Sequence, residues 1–203
     1  MICETPSSET VIAPELWICA PSRALTVVPG DERIDHERID AASGALRALG
    51  WSVKEAANVR QVDKSFAGTD AQRAAGFEEA MCAPQADLVL ALRGGSGTAR
   101  ILDRINWDRV GASHAVFMGL SDLTAINLAL YAKCGKASWQ GPVAAAFSIP
   151  DETRVEFFMR AMSRPLFEEK LVAQGEAIEA EGVLWGGNLS VLTSLIGTPY
   201  FPQ

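Results

Sequence analysis

Three short apolar runs, each cut off by a turn of Gly, Pro or Ser, constrain this chain more than anything else in it. They are Leu16-Trp17-Ile18-Cys19-Ala20 before Pro21-Ser22, Ala86 to Leu92 before Arg93-Gly94-Gly95-Ser96-Gly97, and Ala115 to Met118 before Gly119-Leu120-Ser121-Asp122. Runs this short and this apolar read as strands of a buried sheet. Helical patterns stand between them. Ile34, Ile39, Ala42, Leu46 and Leu49 form one helical stripe, with Gly50 as its C′ residue. Trp51 to Lys54 alternates as a short second strand. Thr69 with Gln72 is a capping-box signal, and the helix it opens carries Phe77 and Met81 as core residues. A helix with Ile101, Leu102 and Ile105 should follow the 93–97 turn, after which Trp107 and Asp108 close a loop. A helix-competent segment runs from Leu123 to Cys134 and stops at Gly135. Strands alternating with helices imply an α/β fold with a largely parallel sheet. Ligands of such sheets bind at the carboxyl ends of the strands, where both glycine-rich turns sit.

The chain has 203 residues, 48% hydrophobic and 21% charged, enough for one core and part of a second domain. Its net charge of −7 argues against a nucleic-acid partner and against an anionic membrane surface. Cys3, Cys19, Cys82 and Cys134 lack any metal-ligand spacing, and no cofactor or metal motif is present. Cys19 and Cys134 lie in apolar runs and are expected as buried free thiols. Met1 to Thr5 does not resemble a signal peptide, and no window approaches the roughly 18 apolar residues of a membrane span. The expected location is the cytoplasm.

The pattern weakens at both ends. Residues 1–14 are polar and read as a loose extension. After Gly141-Pro142, residues 148–180 read as a connector with a helix around Asp151–Ser163. Glu181 to Ser190 then leads into an apolar helix from Leu189 to Ile196, ended by Gly197-Thr198-Pro199. With no later element to pack against, that helix is expected to expose an apolar face.

Two motifs carry possible chemistry. Arg93-Gly94-Gly95-Ser96-Gly97 is neither a Walker motif nor GxGxxG. It is either a tight flexible turn or a source of backbone N–H donors for an oxyanion. Gly119-Leu120-Ser121-Asp122 has the strand–turn–helix setting of a nucleophile elbow, but Leu123 stands where the α/β-hydrolases have a last glycine. On local grounds Ser121 is either a nucleophile or the N-cap of the next helix. A serine nucleophile needs a base within about 3 Å. The chain has two histidines. His114, at the other end of the elbow strand, lies roughly 20 Å from Ser121. His36 begins the first helix and reads as a surface residue.

Taken in order, these motifs resemble the LD-carboxypeptidases, the muramoyltetrapeptide carboxypeptidases of murein recycling, and the related microcin-C immunity peptidases. The resemblance rests on Ala20-Pro21-Ser22; Phe66-Ala67-Gly68-Thr69-Asp70 with Gln72-Arg73; Arg93 to Gly97; Gly119 to Ala125; Gly141-Pro142; and Leu184-Trp185-Gly186-Gly187-Asn188-Leu189 through Ile196 to Tyr200. It implies a Rossmann-like N-terminal domain over 15–147, a connector over 148–180 and the start of a C-terminal domain over 181–203. It implies a metal-free serine peptidase with a Ser-Glu-His triad, cutting terminal D-alanine from murein tetrapeptides, cytoplasmic and homodimeric. Ser121 takes the nucleophile position, and the backbone N–H groups of Asp122 and Gly95 take the oxyanion positions. Arg93, Gly94, Ser96, Trp185 and Asn188 take substrate-facing positions. Ser96 stands where the family usually has an aromatic residue, and Leu120 where it commonly has an aromatic or histidine. The resemblance places the triad Glu and His beyond the Gly-Gly-Asn-Leu helix, so this chain is expected to hold the nucleophile without them and to turn over little. The alternatives are a muropeptide-binding homologue without catalysis and an immunity-type amidase acting on a peptidyl-nucleotide.

Overall fold

Parallel strands need crossover segments between them, and the helical stripes supply these. The fold is seen in a computed structural model that describes residues 13–163, 175 and 181–203. Nearly all of the N-terminal extension, Cys3, and most of the second half of the connector therefore lie outside the described residues. Four strands form one fully parallel sheet, β1 (Glu15–Cys19), β2 (Ser52–Glu55), β3 (Ala86–Ala91) and β4 (Val116–Met118), in the order β2-β1-β3-β4. Leu16 pairs with Val53 on one side and Leu88 on the other, and Val89 pairs with Phe117. Beyond β4, Trp139 bridges to the sheet edge: its N–H donates to Phe117 O (2.9 Å) and its carbonyl accepts from Gly119 N (3.1 Å). The chain runs from β1 outward to β2, then crosses back to β3 on the other flank. The strand order thus reverses between β1 and β3, which places a crevice at their carboxyl ends.

The helices follow their caps. Asp35 accepts from Arg38 N and opens α1 (His36–Ala48), which buries Ile39, Ala42, Ser43 and Leu46 at helical spacing. Thr69 and Gln72 form a complete capping box for α2 (Asp70–Met81). α2 buries Phe77, whose ring meets Phe117 edge-on at 5.4 Å. Full burial of such a ring is worth about 2–3 kcal/mol. α4 (Thr124–Cys134) is buried from Thr124 through Leu130 and ends on Gly135. Cys19 is fully buried, and that burial pushes its thiol pKa up. Cys134 is only half-buried, because its Sγ turns to donate to Trp107 O (3.3 Å).

Two elements differ from the sequence expectation. Thr98–Arg104 is a 3-10 helix. Trp107 Nε1 takes the Leu102 carbonyl (2.9 Å), and Thr98 and Ile101 are buried three residues apart, which suits three residues per turn. Trp107, expected in a loop, begins α3 (Trp107–Ala112), because the Asn106 side chain accepts from Arg109 N and caps it. In the stretch read as a connector, α5 (Glu152–Met162) docks on the domain through Phe158, 5.0 Å from Phe147. α6 (Leu189–Ser194) stops short of Ile196. Val191, Leu192 and Leu195 face the core, whereas Leu189 and Ile196 are 73% and 61% exposed. Tyr200 pins this end down by donating to Asp103 Oδ1 (2.5 Å).

Candidate active site

The carboxyl ends of β1, β3 and β4 deliver three turns to one place: residues 20–24, 92–98 and 119–123. Ser121 stands at the tip of the third. It is the first residue of a 3-10 turn (Ser121–Leu123) and has φ +65°, a left-handed conformation that a residue with a Cβ adopts at a cost. The preceding cap residue is Leu120, and no side chain caps this turn or α4, so Ser121 is not an N-cap. Ser121 is half-buried, and among the described residues its hydroxyl has no hydrogen-bond partner.

Gly94 explains how the second turn reaches the first. A Cβ on Gly94 would stand 3.2 Å from Ser121 Cβ, 3.3 Å from Leu120 O and 3.5 Å from Ser121 Oγ. Only a residue without a side chain lets the two backbones approach this closely. Gly95, next along, has φ +144° and turns its other side to the aliphatic part of Arg23.

Asp122 binds the three turns together. Its Oδ2 accepts from Ser22 Oγ (2.6 Å), Thr98 Oγ1 (2.5 Å) and Thr98 N (3.0 Å), and all three residues are buried. Burying a carboxyl group is costly unless such donors meet its oxygens. Asn58 secures the Ala20 turn from behind, donating to Ala20 O (2.8 Å) and Ala67 O (3.0 Å).

Below the second turn, fully buried Arg73 donates to Pro21 O (2.7 Å) and Gly97 O (3.0 Å) and pairs with Asp70. Burial lowers the Arg73 pKa despite Asp70, but a guanidinium stays charged throughout the accessible pH range. Burial works against ionisation of Asp70. Its bonds to Arg73 and Arg100 prevail and hold its carboxyl below the usual range. Arg23, Arg73 and Arg100 surround the Phe66 ring at 5.7, 4.8 and 5.2 Å.

The residues singled out in the sequence are distributed as follows. Arg93 is half-buried, with Nε donating to Gly94 O (3.0 Å) and Nη1 to Ala24 O (3.3 Å). Ser96 Oγ accepts from Arg23 Nε (3.0 Å). Asn188 comes to the first turn of α4: its N–H donates to Thr124 Oγ1 (2.9 Å), and its side chain caps α6. Trp185 packs edge-on against Phe201 at 5.3 Å. A cavity of about 800 Å³ lies between α4 and residues 183–187 and is lined by Trp185 and Trp139, not by Ser121. His36 is exposed and next to Arg60, and His114 is exposed at the far end of β4. Neither reaches Ser121. Among the described residues, no group of three or more His, Cys, Asp or Glu is placed to hold a metal. No described helix is long and apolar enough to cross a membrane.

The sequence did not point to Arg23, to Ser22 and Thr98 as partners of Asp122, or to the Asp122 side chain itself. A charged residue after a Pro-Ser turn carries no pattern. The one available signal was that an aspartate opening an apolar helix behind a buried strand must find donors.

Residues 17–141, more than half of the chain, match the LD-carboxypeptidase N-terminal domain. The chain belongs to the LD-carboxypeptidase family. A putative carboxypeptidase of Streptomyces coelicolor is 32% identical over 191 residues, covering 89% of this chain and 61% of the relative. A probable murein peptide carboxypeptidase of Bacillus subtilis is 31% identical over 175 residues, 82% of this chain and 54% of the relative. The crystal structure of a muramoyltetrapeptide carboxypeptidase from Oxalobacter formigenes superposes with a TM-score of 0.80 at 28% identity, over 93% of this chain and 62% of that one. This LD-carboxypeptidase chain therefore spans less than two thirds of the length of each.

Proposed function

We propose that Ser121 is the nucleophile position of a serine-type LD-carboxypeptidase site that takes murein tetrapeptides and releases their terminal D-alanine, as part of peptidoglycan recycling. The observation that carries this is the Ser121 turn itself. It has a left-handed backbone at the carboxyl end of a parallel strand, a hydroxyl without a hydrogen-bond partner among the described residues, and the Gly94 backbone pressed against it. A nucleophile elbow has this form. In the reaction, Ser121 Oγ attacks the carbonyl of the L-centre that precedes D-alanine. The Asp122 and Gly95 N–H groups receive the oxyanion. The C–N bond breaks, the proton given up by Ser121 Oγ is passed to the D-alanine nitrogen as it leaves, and water hydrolyses the acyl-serine and restores the hydroxyl. Arg93, Gly94, Ser96, Trp185 and Asn188 border the substrate path. The same reading makes the protein a cytoplasmic homodimer.

The serine needs a base, and the described residues bring neither histidine to it. The 203-residue polypeptide by itself should therefore be slow by several orders of magnitude, since loss of triad partners typically removes that much rate. The test is D-alanine release from murein tetrapeptide, followed by mass spectrometry, with the parent chain and Ser121→Ala. Slow release that depends on Ser121 supports the proposal. Release at the rate of a longer relative would overturn the expected lack of a base, and release indifferent to Ser121 would overturn the site.

A further inference from the structure

The crevice where the strand order reverses, between the ends of β1 and β3, holds two guanidinium groups that no carboxylate among the described residues neutralises. Arg23 comes from the turn after β1 and Arg93 from the turn after β3. Both are half-buried. Arg23 spends its Nε on Ser96 Oγ and rests beside the Phe66 ring. Arg93 spends Nε on Gly94 O and Nη1 on Ala24 O. An arginine has five N–H donors, so both Nη groups of Arg23 and the Nη2 of Arg93 remain available. The neighbouring guanidiniums are different: Arg73 and Arg100 share Asp70. Among the described residues, no carboxylate pairs with Arg23 or Arg93.

Two like charges held close and half-desolvated repel each other unless an anion joins them. Arg93 shows the strain, since burial first, then Arg23 and Arg38, lower its pKa. Position adds to charge. Gly94 follows Arg93 directly and touches Ser121, and Gly95 lies against Arg23. Arg93 thus directly precedes the glycine that faces the candidate nucleophile, and the aliphatic part of Arg23 lies against the glycine that follows it. Planar guanidiniums match a carboxylate in two-pronged geometry.

We propose that Arg23 and Arg93 form a receiver for the C-terminal carboxylate of a peptide bound at Ser121. Which carboxylate it takes rests on the peptidase reading; that the pair takes a carboxylate does not. Arg23 also accounts for Ser96. Its hydroxyl accepts from Arg23 Nε (3.0 Å) and so holds that side chain in place.

The test compares N-acetyl-L-lysyl-D-alanine with its C-terminal amide, by calorimetric titration of the Ser121→Ala protein so that no turnover intervenes. The free acid should bind about tenfold more tightly than the amide, the margin expected for charge-assisted hydrogen bonds. Arg23→Gln and Arg93→Gln should each bring that ratio close to one, and Arg23→Lys should retain part of it. Melting temperatures identify any variant that fails to fold, and Arg23→Lys then carries the comparison. Equal binding of acid and amide, no binding of either, or a ratio unchanged in both Gln variants overturns the receiver. D-alanine release by the parent chain, measured separately, decides the peptidase reading in each case.

Discussion

The turn after β3 and the turn after β4 look alike in sequence, and the structure sets them to different work. Both contain glycine, both stand at carboxyl ends of adjacent parallel strands, and each carries one serine. Ser96 has its hydroxyl occupied by Arg23, and Arg73 holds the Gly97 carbonyl beneath it. Ser121 has no hydrogen-bond partner among the described residues and sits at φ +65°. In the first turn the serine hydroxyl and the Gly97 carbonyl are both engaged, and the turn serves as a wall. The second is a tip held in an uncommon conformation by its neighbour Asp122, whose carboxylate is anchored on Ser22 and Thr98. Strain that persists at a polar, accessible side chain marks a place where the fold gives up stability to present a group.

Removing the anchor should collapse this distinction. Asp122→Ala leaves the buried Thr98 hydroxyl and N–H without their acceptor and leaves Ser22 Oγ only the Ser96 carbonyl (3.2 Å), and should cost about 3 kcal/mol in urea unfolding. Gly94→Val attacks the contact between the turns. Its side chain would meet the Leu120 carbonyl, a backbone atom that cannot swing away. A loss of about 2 kcal/mol is expected, together with loss of tetrapeptide binding in calorimetry. Ser121→Gly should act in the opposite direction. It removes the Cβ that pays for the left-handed backbone and should raise stability by about 1 kcal/mol while ending any catalysis. An unchanged or lowered melting temperature would show that the tip is not strained.

The smallest effect concerns the wall. Asp70, which holds Arg73, has a folded pKa below its unfolded one. Between those two values the unfolded chain binds more protons. The contribution is therefore complete above about pH 4 and is lost as pH falls through the folded value. Urea midpoints measured from pH 7 down to pH 3 should fall, and Asp70→Asn should flatten that slope.

Much of the frame was legible in the sequence, for reasons that belong to short range. Buried strands announce themselves as apolar runs, and the Thr69–Gln72 box closes with the side chains expected of it. Where the chain was misjudged, a single side chain decided the outcome. Asn106 capped a helix at Trp107, and Trp107 drew off the Leu102 carbonyl, so that 98–104 tightened to a 3-10 helix. Of the candidate site, the two turns were legible as turns because turns have strong local rules, but those rules left Ser121 open between nucleophile and N-cap. The Arg23–Ser96 bond joins residues 73 apart, and the Asp122–Ser22 bond residues 100 apart. No local pattern encodes either. They exist because the parallel sheet brings three strand ends to one edge.

The central claim is that Ser121 is a nucleophile whose base the described residues do not supply. The direct measurement is D-alanine release from murein tetrapeptide by the 203-residue chain across an imidazole titration, with Ser121→Ala in parallel. Imidazole can stand in for a missing histidine base. The account predicts slow release that rises with imidazole and vanishes in Ser121→Ala. Release that survives the substitution, or no release at any imidazole concentration, would contradict it.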